Sequence, residues 1–200
     1  MRPPELLAAR KGFKDGTIDA QELREVEDDA IRNVVALQED LGLQSASDGE
    51  FRRTSWHMDF IYQLAGIGST DEQLEVAFKN AGGTTSFTSA ALKVHDRVGI
   101  DETIFADAFT FLRSCVTTAT PKLTIPSPSM VHYRGGQAAI DPEVYPDVEE
   151  FWHDLSAAYA EEIRRLAELG CTYLQLDDTS LAYLNDPAQR AMIAERGEDA

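Results

Sequence analysis

The sequence predicts an α/β fold of parallel strands with helices outside them. Three observations predict it. Stretches with a single apolar stripe at helical spacing alternate with short, apolar, β-prone runs. Such βα alternation is the signature of a parallel sheet covered by crossover helices. Three of the strand-like runs end in dense polar clusters: Asp48-Gly49-Glu50-Phe51-Arg52-Arg53, Pro126-Ser127-Pro128-Ser129 and Asp177-Asp178-Thr179. The carboxyl ends of parallel strands gather at one face, and ligands bind there.

The elements follow in order. Asp19 with Glu22 reads as a capping box, and Leu23, Val26, Ala30, Val34, Leu37 and Leu41 form one stripe on a long helix closed by Gly42. Gln44–Ser47 reads as a short strand and Arg53–Leu64 as a second helix. Leu74–Phe78 and Ala91–Val98 are candidate strands, with a polar loop or edge at Thr84–Ser89. Ile104–Cys115 has helical spacing, and Lys122–Ile125 is a strand that stops at the Pro/Ser segment. A helix over about Asp147–Leu169 buries Val148, Trp152, Leu155, Tyr159, Ile163 and Leu166. Thr172–Leu176 is the strongest strand, and a further helix starts after Asp177-Asp178-Thr179. There is no internal repeat and no low-complexity segment. An open doubly wound sheet and a closed (β/α)₈ barrel both satisfy the pattern. No G-x-G-x-x-G or G-x-x-x-x-G-K-[ST] follows a strand, which weakens the nucleotide-binding version. A full barrel takes about 250 residues and more strands than these. The expectation is therefore one incomplete domain over residues 1–200.

Composition narrows the function. The 200 residues carry a formal net charge of −17, which disfavours nucleic acid and anionic membrane surfaces as partners. No run approaches a bilayer-spanning length, and Met1 to Gly12 lacks the apolar core of a signal peptide. The 2 cysteines, Cys115 and Cys171, make no disulfide scaffold, so a reducing, cytoplasmic setting is expected.

Glu50, Ser127 and Asp177 are the candidates for a shared mouth. Two carboxylates there suit a cationic group such as a substrate ammonium, or general acid/base work. Each has a structural alternative. Asp178 fits the N-cap of the next helix, and Asp48-Gly49 fits a turn. Arg52 and Arg53 fit pairing with acids on a solvated surface. Arg134, in Tyr133-Arg134-Gly135-Gly136, fits either an anionic ligand group or an exposed loop. His57, His95, His132 and His153 have no metal-ligand spacing, and His57 beside Trp56 reads as packing. Cys115 and Cys171 read as small buried hydrophobes, and no G-x-S-x-G elbow is present.

Four segments carry a resemblance. Arg2-Pro3-Pro4-Glu5-Leu6-Leu7, Asp48 to Arg53, Pro121-Lys122-Leu123-Thr124-Ile125-Pro126-Ser127-Pro128 and Tyr173-Leu174-Gln175-Leu176-Asp177-Asp178 resemble, in order, the cobalamin-independent methionine synthase superfamily, and its short methionine-synthase-like members most. The resemblance implies part of a (β/α)₈ TIM barrel, lacking the first strand and the C-terminal half. It implies methyl transfer from a methylated folate to the thiol of homocysteine, with zinc holding the thiolate. It makes Glu50 and Asp177 the carboxylates that bind the amino acid's ammonium, and puts Ser127 and Ser129 on the folate side. Asp48, Asp178 and Arg134 fall beside them. The family's zinc ligands, a His-x-Cys, a Glu and a distal Cys, have no counterpart here and are expected beyond Ala200. No catalytic or metal residue is therefore expected within the chain, and the chain alone is expected to be inactive. The alternatives are a transferase for another thiol, such as a coenzyme-M-like acceptor, and a non-catalytic truncated paralogue. A half-barrel module of the latter kind would self-associate through exposed edges.

Overall fold

Asp19 opens the first long helix as its capping box predicts: its side chain accepts from Glu22 N at 2.8 Å, and Glu22 accepts from Asp19 N at 2.9 Å. The computed structural model describes residues 2–80, 83–133 and 135–197, and over 71–90 the backbone. The chain divides into two compact units. The first comprises Met1–Trp56, Phe105–Ile125 and Arg165–Gln175; the second comprises His57–Ile104, Pro126–Arg164 and Leu176–Ala200.

In the first unit, α1 (Pro4–Lys14) precedes α2 (Ala20–Asp40). Pro4 suits the start of α1, where its missing N–H costs nothing. β1 (Ser45–Ala46) pairs in parallel with β4 (Thr120–Pro126), and β4 also neighbours β5 (Tyr173–Asp177). The predicted strands at 44–47, 122–125 and 172–176 are these three. Between them runs α4 (Ala106–Cys115), inside the predicted 104–115 segment. Leu6, Ala30, Ile31, Val35, Ala46, Phe51, Leu112 and Ala119 form the core, with Cys115 partly buried against it. Glu39, near the end of α2, receives the backbone N–H groups of Thr117, Thr118 and Ala119 at 2.7 to 2.8 Å, and the Thr117 hydroxyl at 2.8 Å. These bonds, Ala119 N–H foremost, hold its carboxyl down at about 2.

The α2 stripe is rotated from the predicted one. Ala30 is buried and Val26 and Val34 pack partly buried against the core, as predicted, but Leu37 and Leu41 are exposed while Glu27, Ile31 and Val35 are buried. An acid can occupy that face because Arg52 and Arg10 meet it, at 3.3 and 3.7 Å. Nor are Arg52 and Arg53 solvated surface residues. Arg52 also pairs with Asp28 at 2.6 Å and lies over the Phe111 ring, and Arg53 is 5% exposed.

The second unit departs most from simple βα alternation. β2 (Ala65–Asn80) and β3 (Gly83–Gly99) form a long antiparallel pair from Ala65↔Gly99 to Asn80↔Gly83. The segment 84–89, predicted as a loop or edge, lies within β3. Polar, threonine-rich sequence suits a strand when it is paired antiparallel. Gly66 lies at φ +79°, where a Cβ would come within 2.4 Å of Arg97 O. Only Met58–Ile61 (α3) of the predicted 53–64 helix forms. The preceding residues are taken up in turns, with Arg53 N donating to Glu50 O.

α5 (Ser129–Tyr133) and a 3₁₀ turn (Gly136–Ala139) lead to α6 (Val148–Glu168), whose last residues belong to the first unit. Along α6, Phe151, Leu155, Ala158, Tyr159 and Leu166 are buried, but Ile163 is 41% exposed. Its neighbour Glu162 is buried instead and accepts Ile104 N at 3.2 Å, a backbone partner that the apolar pattern does not show. His57 is buried, as its packing role predicts, and so is Cys171. α7 (Ser180–Leu184) and α8 (Pro187–Glu195) close the described chain. No helix among the described residues is long and apolar enough to cross a membrane.

Candidate functional site

The candidates fall in both units, so each group is described within its own. In the first unit, Glu50 stands on a tight turn just past β1. Asp48 O accepts Phe51 N, and Gly49 and Glu50, the two central residues, have φ of 66° and 55°. Positive φ at both is the mark of a type I′ turn. Glycine adopts it freely; a glutamate there is strained by an amount of order 1–3 kcal/mol and persists only where its surroundings enforce it. Asp48 supplies part of that enforcement, its buried side chain accepting Glu50 N at 2.8 Å. Asp48 is thus a turn former, as the Asp-Gly pair suggested.

The Glu50 side chain is 28% exposed and is held by one oxygen. Thr124 Oγ1 donates to Oε1 at 2.6 Å, and Arg53 Nη1 donates to the same oxygen at 3.3 Å. Thr124 reaches it because alternation along β4 buries Leu123 and Ile125 and leaves Thr124 half-buried. Arg53 also donates to Trp56 O at 3.3 Å and Thr124 O at 2.7 Å, and its guanidinium lies 4.2 Å from the Phe105 ring centre. Arg2 donates to Glu50 O at 3.2 Å and Arg53 O at 2.7 Å.

In the second unit, Ser127, Ser129 and Asp178 come together. Ser127 Oγ and Ser129 Oγ are 2.7 Å apart, Ser129 Oγ donates to Asp178 Oδ2 at 2.9 Å, and Ser129 and Ser180 hydroxyls are 2.8 Å apart. Asp178 Oδ1 accepts Ser180 N at 3.0 Å, Leu181 N at 3.3 Å and the Ser180 hydroxyl. Partial burial pushes the Asp178 carboxyl up, but bonds from Ser180, Ser129, Leu181 N–H and Ser127 outweigh it and hold the carboxyl below its ordinary range. Asp178 thus binds the first two amides of α7 from the residue before the N-cap, which is Thr179 and not Asp178 as the structural alternative had it. Asp177 joins this group through its backbone, its carbonyl accepting Ser127 N at 2.9 Å. Arg134 lies outside the described residues.

Sequence reasoning missed Thr124, Ser180 and the part played by Arg2 and Arg53. The Arg three residues after Glu50 is a local signal. Thr124 and Arg2 are 74 and 48 residues away from Glu50, with no periodicity to connect them. Among the described residues, no three His, Cys, Asp or Glu side chains are grouped so as to hold a metal ion. The zinc that the resemblance implies does not fit any described set of donors.

Comparison with known proteins agrees with the fold and the motifs. Residues 3–192 match the family described as "Cobalamin-independent synthase, Catalytic domain". The chain is 34% identical over 199 residues to the uncharacterised protein YxjH of Bacillus subtilis (strain 168), covering 100% of this chain and 51% of that one. It is 28% identical over 199 residues to a methionine synthase of Pyrococcus abyssi (strain GE5 / Orsay), covering 97% and 53%. A solved Listeria monocytogenes protein, described as a candidate vitamin-B12-independent methionine synthase, superposes with a TM-score of 0.75 at 35% identity, over 93% of this chain and 51% of that one. The chain thus spans about half the length of the relatives it matches. Its α/β fold corresponds to part of their (β/α)₈ barrel. With the match running through nearly every described element, the chain belongs to the cobalamin-independent synthase family, in its catalytic domain.

Proposed function

We propose that this chain supplies amino-acid-recognising carboxylates to a methyltransferase that moves a methyl group onto the thiol of homocysteine or a related amino-thiol. The observation that carries this reading is Glu50. Its Oε1 is engaged by Thr124 and Arg53, and Oε2 carries no hydrogen bond among the described residues. An ionised carboxylate fixed at one oxygen offers the other to a substrate ammonium, whose three N–H groups need charged acceptors. Asp177 is assigned the same partner on the family motif, and Ser127 and Ser129 the methyl-donor side. Both serines are already engaged with Asp178 or each other, so their part there is to hold the loop that follows β4.

The methyl donor by this reading is a methylated folate. Zinc, where the family uses it, would hold the acceptor sulfur as thiolate. The residues described here are assigned no part in that coordination. Two free thiols, Cys115 and Cys171, accord with a reducing cytoplasm.

The test is calorimetric titration of the native protein with homocysteine and with 4-mercaptobutanoate, the same thiol acid without its amine. Homocysteine should bind more tightly. Glu50→Gln and Asp177→Asn, made separately, should each weaken homocysteine by about 10- to 100-fold, the worth of one charge-assisted hydrogen bond, and leave 4-mercaptobutanoate unchanged. Equal binding of both thiols by the native protein would overturn the reading.

A further inference from the structure

We infer that Arg53 is the positioning residue for Glu50, and that it gives amine recognition its direction. The inference rests on the reading of Glu50 as an ammonium acceptor. Arg53 is 5% exposed, so its charge is withdrawn from water and must be matched within the protein. Its planar fork does this with three acceptors at once: Glu50 Oε1, Trp56 O and Thr124 O. The Phe105 ring covers one face of the guanidinium. Phe105 itself sits at φ 61°, so both Glu50 and the residue stacked on its arginine occupy left-handed backbone. Two strained non-glycine residues meeting one buried cation is a concentration of the kind found where a side chain must be aimed.

The chemical consequence follows from the donor count. A carboxylate has about four acceptor positions, two per oxygen. Arg53 and Thr124 engage Oε1, so an incoming ammonium meets Oε2 and the two acceptor positions on it. Arg2 fastens the same turn from outside, bonding the carbonyls of Glu50 and Arg53. Without Arg53, the carboxylate could rotate and the ammonium would have to order it on binding, at a cost in affinity.

The decisive variant is Arg53→Lys, which keeps the charge but cannot span three acceptors with one fixed fork. It should weaken homocysteine about tenfold in the native protein while leaving 4-mercaptobutanoate unchanged, with the parent's circular dichroism. If Arg53→Lys does not fold, Thr124→Val decides instead. It removes the other donor to Oε1 and should show the same amine-dependent loss. Equal weakening of both thiols, or of neither, in the deciding variant would overturn the positioning role while a selective Glu50→Gln loss leaves the proposed function standing. Absence of selectivity in Glu50→Gln would remove both.

Discussion

Leu6 is the only buried residue of α1, and that isolation gives a sharp prediction. Its side chain is 0% exposed and lies in the core formed by Ala30, Ile31, Val35, Ala46, Phe51 and Leu112. Leu6→Ala removes the transfer free energy of the deleted carbons and leaves a cavity, together about 3 kcal/mol where such sites collapse only partly. Leu7, one residue on, is 52% exposed. Leu7→Ala should change stability by no more than about 0.5 kcal/mol. Urea unfolding followed at 222 nm measures both, as a shift in midpoint at unchanged slope. A Leu6→Ala loss under about 1 kcal/mol, or a Leu7→Ala loss of equal size, would refute this account of how α1 is anchored. The prediction bears on the site because Arg2, two residues before the start of α1, fastens the Glu50 turn.

Two other predictions concern the frame of each unit. Glu39 has its folded pKa depressed to about 2 from an ordinary 4.5, so the stability it confers is fully present above about pH 4.5 and is lost as pH falls towards 2. Glu39→Gln should therefore flatten the decline in urea midpoint between about pH 5 and 2, and a variant that declines as steeply as the parent would contradict the assignment. Gly66→Ala would set a Cβ 2.4 Å from Arg97 O on a positive-φ backbone, and should destabilise the second unit by more than the roughly 1 kcal/mol of strain alone. A neutral or stabilised Gly66→Ala, by thermal unfolding, would show that the strands separate there at no cost.

Local chemistry was the legible part. The capping box at Asp19 and Glu22, the strand ends at Pro126 and Asp177, and the turn at Asp48-Gly49 all depend on residues a few positions apart. The periodic stripes failed where a charge was paid for by a distant partner: Glu27 by Arg10 and Arg52, Glu162 by the Ile104 amide. The hairpin at 65–99 was half-legible. Its apolar runs at 74–78 and 91–98 read as strands, but the polar stretch between them belongs to a strand because it is paired, which spacing does not show. At the site, Glu50 stood out as a strand-end carboxylate, whereas Thr124 and Arg2 enter through contacts 74 and 48 residues long in sequence. The role of Asp178 was settled by its neighbours, Ser129 and Ser180, and not by its place at a strand end.

The central claim is that Glu50 recognises an amine. The most direct measurement is the ratio of homocysteine to 4-mercaptobutanoate affinity in the native protein and in Glu50→Gln. The account predicts a ratio well above one in the native protein that falls at least about tenfold in the variant. A ratio unchanged by Glu50→Gln would contradict it.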